Sequence, residues 1–249
     1  MKSGSPEVAA SLVSRAELTD AQRDAMYQLL AFHFEGVTRG QFENDLAGKN
    51  RVILIGREDR LVGFSTLLAY ESQFEGEPVS VVCSGDTIMA REAWGTPALS
   101  RAWIASVNSL RGIYPRGKYY WLLLTSGFRT YRFLPVFWRE FYPRFDACMP
   151  EERRRLVDHL ARDLFGNQFH AENGIVRFDH PQKLRGGLAG IPQGRDADDH
   201  VAFFLSQNPG HKNGDELVCI TELSPENLTA AGRRMVRQPC AYAIHGEHC

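Results

Sequence analysis

Residues 79–110 read VSVVCSGDTIM, then AREAWGTP, then ALSRAWIASVNSL. The first block has the composition of a buried strand, the second that of a sharp Gly/Pro turn, and the third that of a helix. A strand running through such a turn into a helix aims backbone N–H groups at whatever occupies the turn, and the helix dipole adds positive potential there. The chemistry suited to this unit is the binding of an anionic, phosphate-bearing ligand. Side-chain nucleophiles are less well served. The five cysteines, Cys83, Cys148, Cys219, Cys240 and Cys249, are odd in number, widely spread and never in a CxxC pair, which argues against a disulfide framework or a structural zinc site. Cys83 and Cys219 fall inside strand-like runs with no base beside them, and read as small hydrophobes. His33 adjoins an apolar helical face and reads as a packed core histidine. His245, His248 and Cys249 could catch a metal adventitiously, but an untethered tail is a poor preorganised site and no metal is expected.

The elements that must hold this unit are legible around it. The 249 residues are 43% hydrophobic, ample for a core. Lys+Arg 29 against Asp+Glu 30 leaves a formal charge of −1, so the global basic field that drives nonspecific nucleic-acid binding is missing and no nucleic-acid partner is expected. The start of the chain lacks an apolar run behind basic residues, and no stretch approaches the roughly 18 apolar residues of a membrane span. A soluble, cytoplasmic protein with no membrane partner is the expectation.

Residues 1–17 carry Gly, Ser and Pro with little periodicity and are expected to form a loose arm or a short edge strand. Thr19 or Asp20 caps a first helix whose buried face is Met26, Leu29, Leu30, His33 and Phe34. A shorter helix is predicted over 39–46. Two strands, 51–56 and 61–70, are joined by the charged turn Arg57-Glu58-Asp59-Arg60, and a second polar turn leads into strand 79–89, completing an antiparallel meander. A helix over 98–110 precedes the continuous apolar run 119–124, which reads as a buried central strand reached by a parallel crossover. An aromatic helix is predicted over 128–141, kinked by Pro135 and stopped by Pro143. The stretch 149–200 reads as an insertion: a helix with a Leu156, Leu160, Leu164 stripe, then a polar, Gly-rich excursion with one short strand near 175–178 and LRGGLAG as a mobile lid. A last hairpin, 201–205 with 216–220, a helix over 224–236 and a tail from 237 close the chain.

This order of helices, meander, strand–turn–helix and buried strand resembles that of the GNAT superfamily of N-acyltransferases. The resemblance covers residues 18–236 as one domain, with the insertion before the last hairpin. It implies an α+β (α/β) fold with a mixed, mostly antiparallel central sheet flanked by helices. It further implies that strand 79–89 splays from its neighbour to admit the pantetheine arm of acetyl- or acyl-coenzyme A, paired to the backbone of Ile88, Met89 and Ala90 like an added strand. The family's turn, Arg/Gln-x-x-Gly-x-Gly/Ala, is resembled in two registers, Arg91 to Thr96 and Trp94 to Leu99. Trp94 stands at a glycine position in the first, and Pro97 lacks a needed N–H in the second. On this resemblance Trp94, Gly95 and Thr96 would meet the pyrophosphate, Ser126 would supply a polar contact, and Arg129 and Arg132 would meet coenzyme phosphates or an acidic substrate.

Acyl transfer to an amine asks for a base, an oxyanion donor and an acid for the departing thiolate. Asp86 and Glu71 are candidate bases near the strand ends where the family's sites lie, with a turn or bulge role as the other reading of Asp86. Tyr131 resembles the tyrosine that protonates the thiolate, and reads equally as one more packed ring; Tyr142 is a weaker candidate acid. The expected activity is direct attack by a small-molecule amine on the thioester, without a covalent enzyme intermediate. Two alternatives stay open: a GNAT-like binding or regulatory module that no longer uses coenzyme A, and an enzyme served by a carrier-protein thioester. A homodimer is compatible with either.

Overall fold

A computed structural model describes residues 8–186, 198–237 and 242–244. Strand β1 (Ala9–Ser14) leads to helix α1 (Asp20–His33), strand β2 (Phe34–Glu35) and helix α2 (Arg39–Ala47). The meander β3 (Arg51–Arg57), β4 (Arg60–Phe74) and β5 (Glu77–Met89) follows, then helix α3 (Ala98–Ile113) and strand β6 (Lys118–Thr125). Short helices α4 (Phe128–Tyr131) and α5 (Phe133–Phe137), strand β7 (Phe141–Tyr142), helix α6 (Glu151–Phe165) and strands β8 (Phe169–His170), β9 (Ile175–Val176) and β10 (Lys183–Leu184) come next. Helix α7 (Asp199–Gln207), strand β11 (Glu216–Glu222), helix α8 (Ala230–Arg237) and strand β12 (Tyr242–Ile244) complete the described chain.

Local chemistry sets the boundaries that matter for the site. Thr19 Oγ1 accepts from Gln22 N–H at 3.2 Å while Thr19 N–H donates to Gln22 Oε1 at 2.9 Å, a reciprocal cap that fixes where α1 begins. Thr38 Oγ1 starts α2 in the same way, accepting from Gln41 N–H. Glu58 and Asp59 both take positive φ, 47° and 60°, the backbone twist that a tight β3–β4 hairpin requires.

One sheet runs in the order β12-β1-β3-β4-β5-β6-β11-β9-β8, with β7 also paired to β11. Its neighbours are antiparallel except β1–β12 and β5–β6. Side chains alternate between two faces. Ile53, Val82, Trp121, Leu123 and Cys219 pack with α3 on one face, in a cluster that also holds Trp103 and Leu110. Their alternates Val81, Cys83, Leu122 and Val218 pack under α6, while Val52, Leu54, Phe64 and Ile88 pack under α1 and α2. The molecule is thus a mostly antiparallel sheet flanked by helices, with two separate helical layers on the face opposite α3.

Several expectations are corrected. Of the two readings of the first residues, loose arm or short edge strand, residues 9–14 take the strand, though not at the edge: β1 pairs along its whole length with β3, Ala9 to Gly56 through Ser14 to Arg51, and with β12 on its other side. The stretch 201–205 is helical, because Val201 and Phe204 are its buried positions, three apart, and Asp198 caps the start by accepting from His200 N–H. No last hairpin forms; β11 lies against β6 instead, Leu217 opposite Thr125. The aromatic helix is broken after Tyr131 and ends at Phe137, leaving Phe141 and Tyr142 as a strand on β11. The last helix begins at Ala230, not 224, and Tyr242–Ile244 of the expected tail pairs parallel with β1. His245, His248, Cys240, Cys249 and most of LRGGLAG lie outside the described residues. Among the described residues no helix is long and apolar enough to cross a membrane, and no group of three metal-ligating side chains assembles.

Candidate active site

The site begins where two strands part. β5 and β6 are paired from Val79–Lys118 to Ser84–Leu123 and no further. Beyond that point β5 stays with β4, while β6 runs on beside β11. A bulge coincides with the parting: between the pairs Leu67–Ser84 and Ser65–Thr87, β4 spends one residue, Thr66, where β5 spends two, Gly85 and Asp86. A bulge bends its strand and re-aims the extra side chain, and here it turns Asp86 toward the opening. Gly85 suits the place, since a Cβ there would meet Lys49 Cε and Thr66 Oγ1, each at 2.6 Å.

A cavity of about 800 Å³ occupies the gap. Its lining comes from both faces of the sheet: Trp94, Thr96, Trp103 and Arg129 on the α3 side, and His33, Asp45, Lys49, Phe165 and Gln182 on the other. The 149–200 insertion closes the second side. β10 pairs with β2, Arg185 N–H donates to His33 O at 2.8 Å, and Gln41 Nε2 donates to His180 O at 2.8 Å. Gly214, at φ +93°, lets the loop before β11 come close under Pro181 and Gln182. The insertion thus forms one wall of the pocket.

Four titratable groups, Asp86, Glu216, Asp45 and Lys49, line the gap. Burial pushes the Asp86 carboxyl up to about 6, with Asp45 adding to the rise and Lys49 opposing it. Burial pushes Glu216 further, to about 8, reinforced by Asp86 and opposed by Lys49. Asp45 is also raised, chiefly by burial, against the pull of Lys49 and a hydrogen bond from Gln182 Nε2 at 3.4 Å. Carboxyls held apart in this way divide acid and base roles near neutral pH. Asp86 can accept a proton; Glu216 can give one.

The other expected residues divide. Ile88, Met89, Trp94, Gly95, Thr96, Ser126 and Arg129 all line the cavity with Asp86. Two backbone groups are already engaged, since Ala90 N–H donates to Val62 O at 2.8 Å and Met89 O accepts from Trp94 Nε1 at 2.7 Å. The Arg129 guanidinium lies 4.9 Å from the Trp94 ring centroid, which keeps a cation at the turn. Glu71 does not join them: it stands opposite Ser80, at the other end of the β4–β5 pair, 3.5 Å from Arg116. Tyr131 is fully buried, its hydroxyl donates to Pro143 O at 2.9 Å, and burial raises its pKa, so it is a packed, hydrogen-bonded ring and not a proton donor to the cavity. Tyr142 sits on β7 under α6, away from the gap. Arg132 pairs with Asp198 at 3.1 Å.

Sequence reasoning missed Glu216, Asp45 and Lys49. Asp45 and Lys49 stand four apart at the end of α2, a spacing that signals a local ion pair, and Glu216 opens a strand like many surface glutamates. Only the tertiary fold brings them to Asp86.

No protein-family model matches the chain, and no curated protein sequence does. Solved structures resemble it at a distance. A probable N-acyltransferase of Enterococcus faecalis shares 13% identity over 54% of this chain at a TM-score of 0.41, and the chain spans only 33% of that protein. Escherichia coli ElaA shares 19% over 58% of this chain and 94% of its own, at 0.39. A GNAT family N-acetyltransferase of Escherichia coli, YhbS, solved with CoA, shares 13% over 49% of this chain and 66% of its own, at 0.37. The fold is GNAT-like. That statement rests on the sheet order, the α3 crossover and the parting of the parallel pair.

Proposed function

We propose that the protein transfers an acyl group, acetyl or longer, from a coenzyme A thioester to the amine of a small molecule. The observation that carries this reading is the parting of β5 from β6 at Ser84 and Leu123, with Asp86 turned into the opening by the bulge. The residues present fit the coenzyme. The gap accepts an extended arm beside Ile88 and Met89, and the first N–H groups of α3 lack intrahelical acceptors, as at every helix start. Gly95 at φ +82° leaves the turn open, and Arg129 supplies positive charge. The thioester supplies the activated acyl carbon.

The chain's own residues do the rest. Asp86 takes the proton that the amine nitrogen must lose as its bond to the acyl carbon forms, and the Glu216 carboxyl, protonated at neutral pH, returns one toward the leaving sulfur. The apolar walls of Leu123, Phe128 and Phe133 exclude water from the thioester. The bond from Trp94 Nε1 to Met89 O favours a second reading, in which the protein no longer uses coenzyme A and binds a ligand without a pantetheine arm, because it covers the acceptor that an added strand would use.

Calorimetry or thermal shift with acetyl-coenzyme A, a longer acyl-coenzyme A and free pantetheine tests the first reading. A binder gains about 2.7 kcal/mol at a ligand concentration of about 100 times its dissociation constant. Binding of the coenzyme thioesters together with thiol release on adding amines supports it; no response to any of the three ligands sinks it.

A further inference from the structure

The cavity carries opposite charge on the two sides of the sheet. Arg129 is the charged residue of its α3-side lining, whereas Asp45, Asp86, Glu216 and Asp179 confront Lys49 on the other side. Among the described residues neither the Asp86 nor the Glu216 carboxyl makes a hydrogen bond or ion pair, and Lys49 has no carboxylate within ion-pair distance. With Glu216 protonated at neutral pH, Asp45 and Asp86 still outnumber Lys49 in a space that water alone cannot solvate as bulk water would. A separate observation points the same way. His33 is 4% exposed and lines this side of the cavity. Its Nδ1 lies 2.9 Å from Leu29 O, a carbonyl that can only accept, so Nδ1 donates there, and in the tautomer this bond selects Nε2 is an acceptor. Nε2 is buried and has no partner among the described residues. An unmet acceptor in the same cavity as the Asp45 and Asp86 carboxylates is the complement of an ammonium group.

Resting on the acyl-transfer reading, we infer that the acceptor is a diamine or longer polyamine, which presents one free amine to the thioester and keeps a second ammonium beside Asp45 on the wall that His33 shares. The apolar surfaces of Leu124, Phe165 and Phe178 on the same side suit a methylene spacer. In the step itself the neutral amine nitrogen attacks the thioester carbonyl, the C–N bond forms and the C–S bond breaks. The nitrogen's proton passes to Asp86 and sulfur leaves as the thiol with the proton of the Glu216 carboxyl, giving an amide. A carboxylate-bearing acceptor such as an amino acid would face like charge here, and a neutral alkylamine would leave the carboxylates unmatched.

The test compares putrescine, n-butylamine and γ-aminobutyrate as acceptors with acetyl-coenzyme A and the full chain, reading thiol release, alongside calorimetry of putrescine without coenzyme. Putrescine is expected to exceed n-butylamine by about tenfold or more in kcat/KM, with γ-aminobutyrate poorest, and added salt should narrow the gap. Asp45→Asn should bring the putrescine to n-butylamine ratio toward one. Equal or better use of n-butylamine or γ-aminobutyrate overturns the inference, as does failure of putrescine to bind the free protein. Putrescine binding without any coenzyme response would instead remove the acyl-transfer reading and leave the cationic site standing.

Discussion

At Asp86 burial and charge act together. Removing the carboxyl from water disfavours its ionised form, Asp45 disfavours it further, and Lys49 restores part of the loss. A base must be ionised to work, so the rate of acyl transfer should rise with pH through about 6. The groups that set this limb are Asp45 and Lys49 at the end of α2 and Glu216 at the head of β11. Asp45→Asn removes the neighbouring carboxylate that most raises Asp86 and should move the limb to lower pH; Lys49→Met should move it higher. Asp86→Asn should lower turnover by about a hundredfold while coenzyme binding persists, since a positioned base contributes roughly that much. Unchanged turnover in Asp86→Asn would return the residue to a role in the bulge alone. Tyr131 gives the converse case. Its hydroxyl is spent on Pro143 O inside the core, so Tyr131→Phe should cost about 1 kcal/mol of stability, read by denaturant unfolding, and leave thiol release nearly unchanged.

The bulged end of β5 and the turn that follows are the elements on which coenzyme binding depends. In SGDT the sequence holds the ingredients of a bulge, and Asp86 was legible as either its ligand or a base; the structure puts Asp86 in the bulge and on the cavity wall. The turn was legible as irregular from Trp94 and Pro97, and the irregularity has a cause: the indole reaches back five residues to Met89 O and stacks under Arg129. An arm laid along β5 must compete for that carbonyl. Trp94→Phe keeps a ring beside Arg129 but deletes the donor, and a typical hydrogen bond contributes about 1 kcal/mol, so coenzyme affinity should tighten by about fivefold in calorimetry. Weaker binding would show that the indole holds the ligand instead of guarding its place. Where reading failed outright, at 201–205, a short apolar run of Val, Ala and Phe was equally compatible with strand and helix, and the Asp198 cap decided it.

Across the whole molecule, the sheet and its crossover could be read from apolar runs and turns, while the charged cluster could not, because Asp45, Asp86 and Glu216 come from three elements far apart in the chain. The insertion reaches over α1 and α2 through Arg185, Gln41 and β10 to wall one side of the gap that these three residues share. The resulting cavity opens the sheet from face to face, cationic toward α3 and anionic toward α1 and α2. Such a division lets an anionic donor and a cationic acceptor occupy opposite sides without sharing contacts, and their opposite charges attract through the gap. Direct transfer then needs both bound at once. In calorimetry, putrescine should bind the protein saturated with free coenzyme A at least as tightly as it binds the protein alone, and coupling between the sites must be equal in both directions. Mutual exclusion of the two ligands would place them on the same side and exclude attack within a ternary complex.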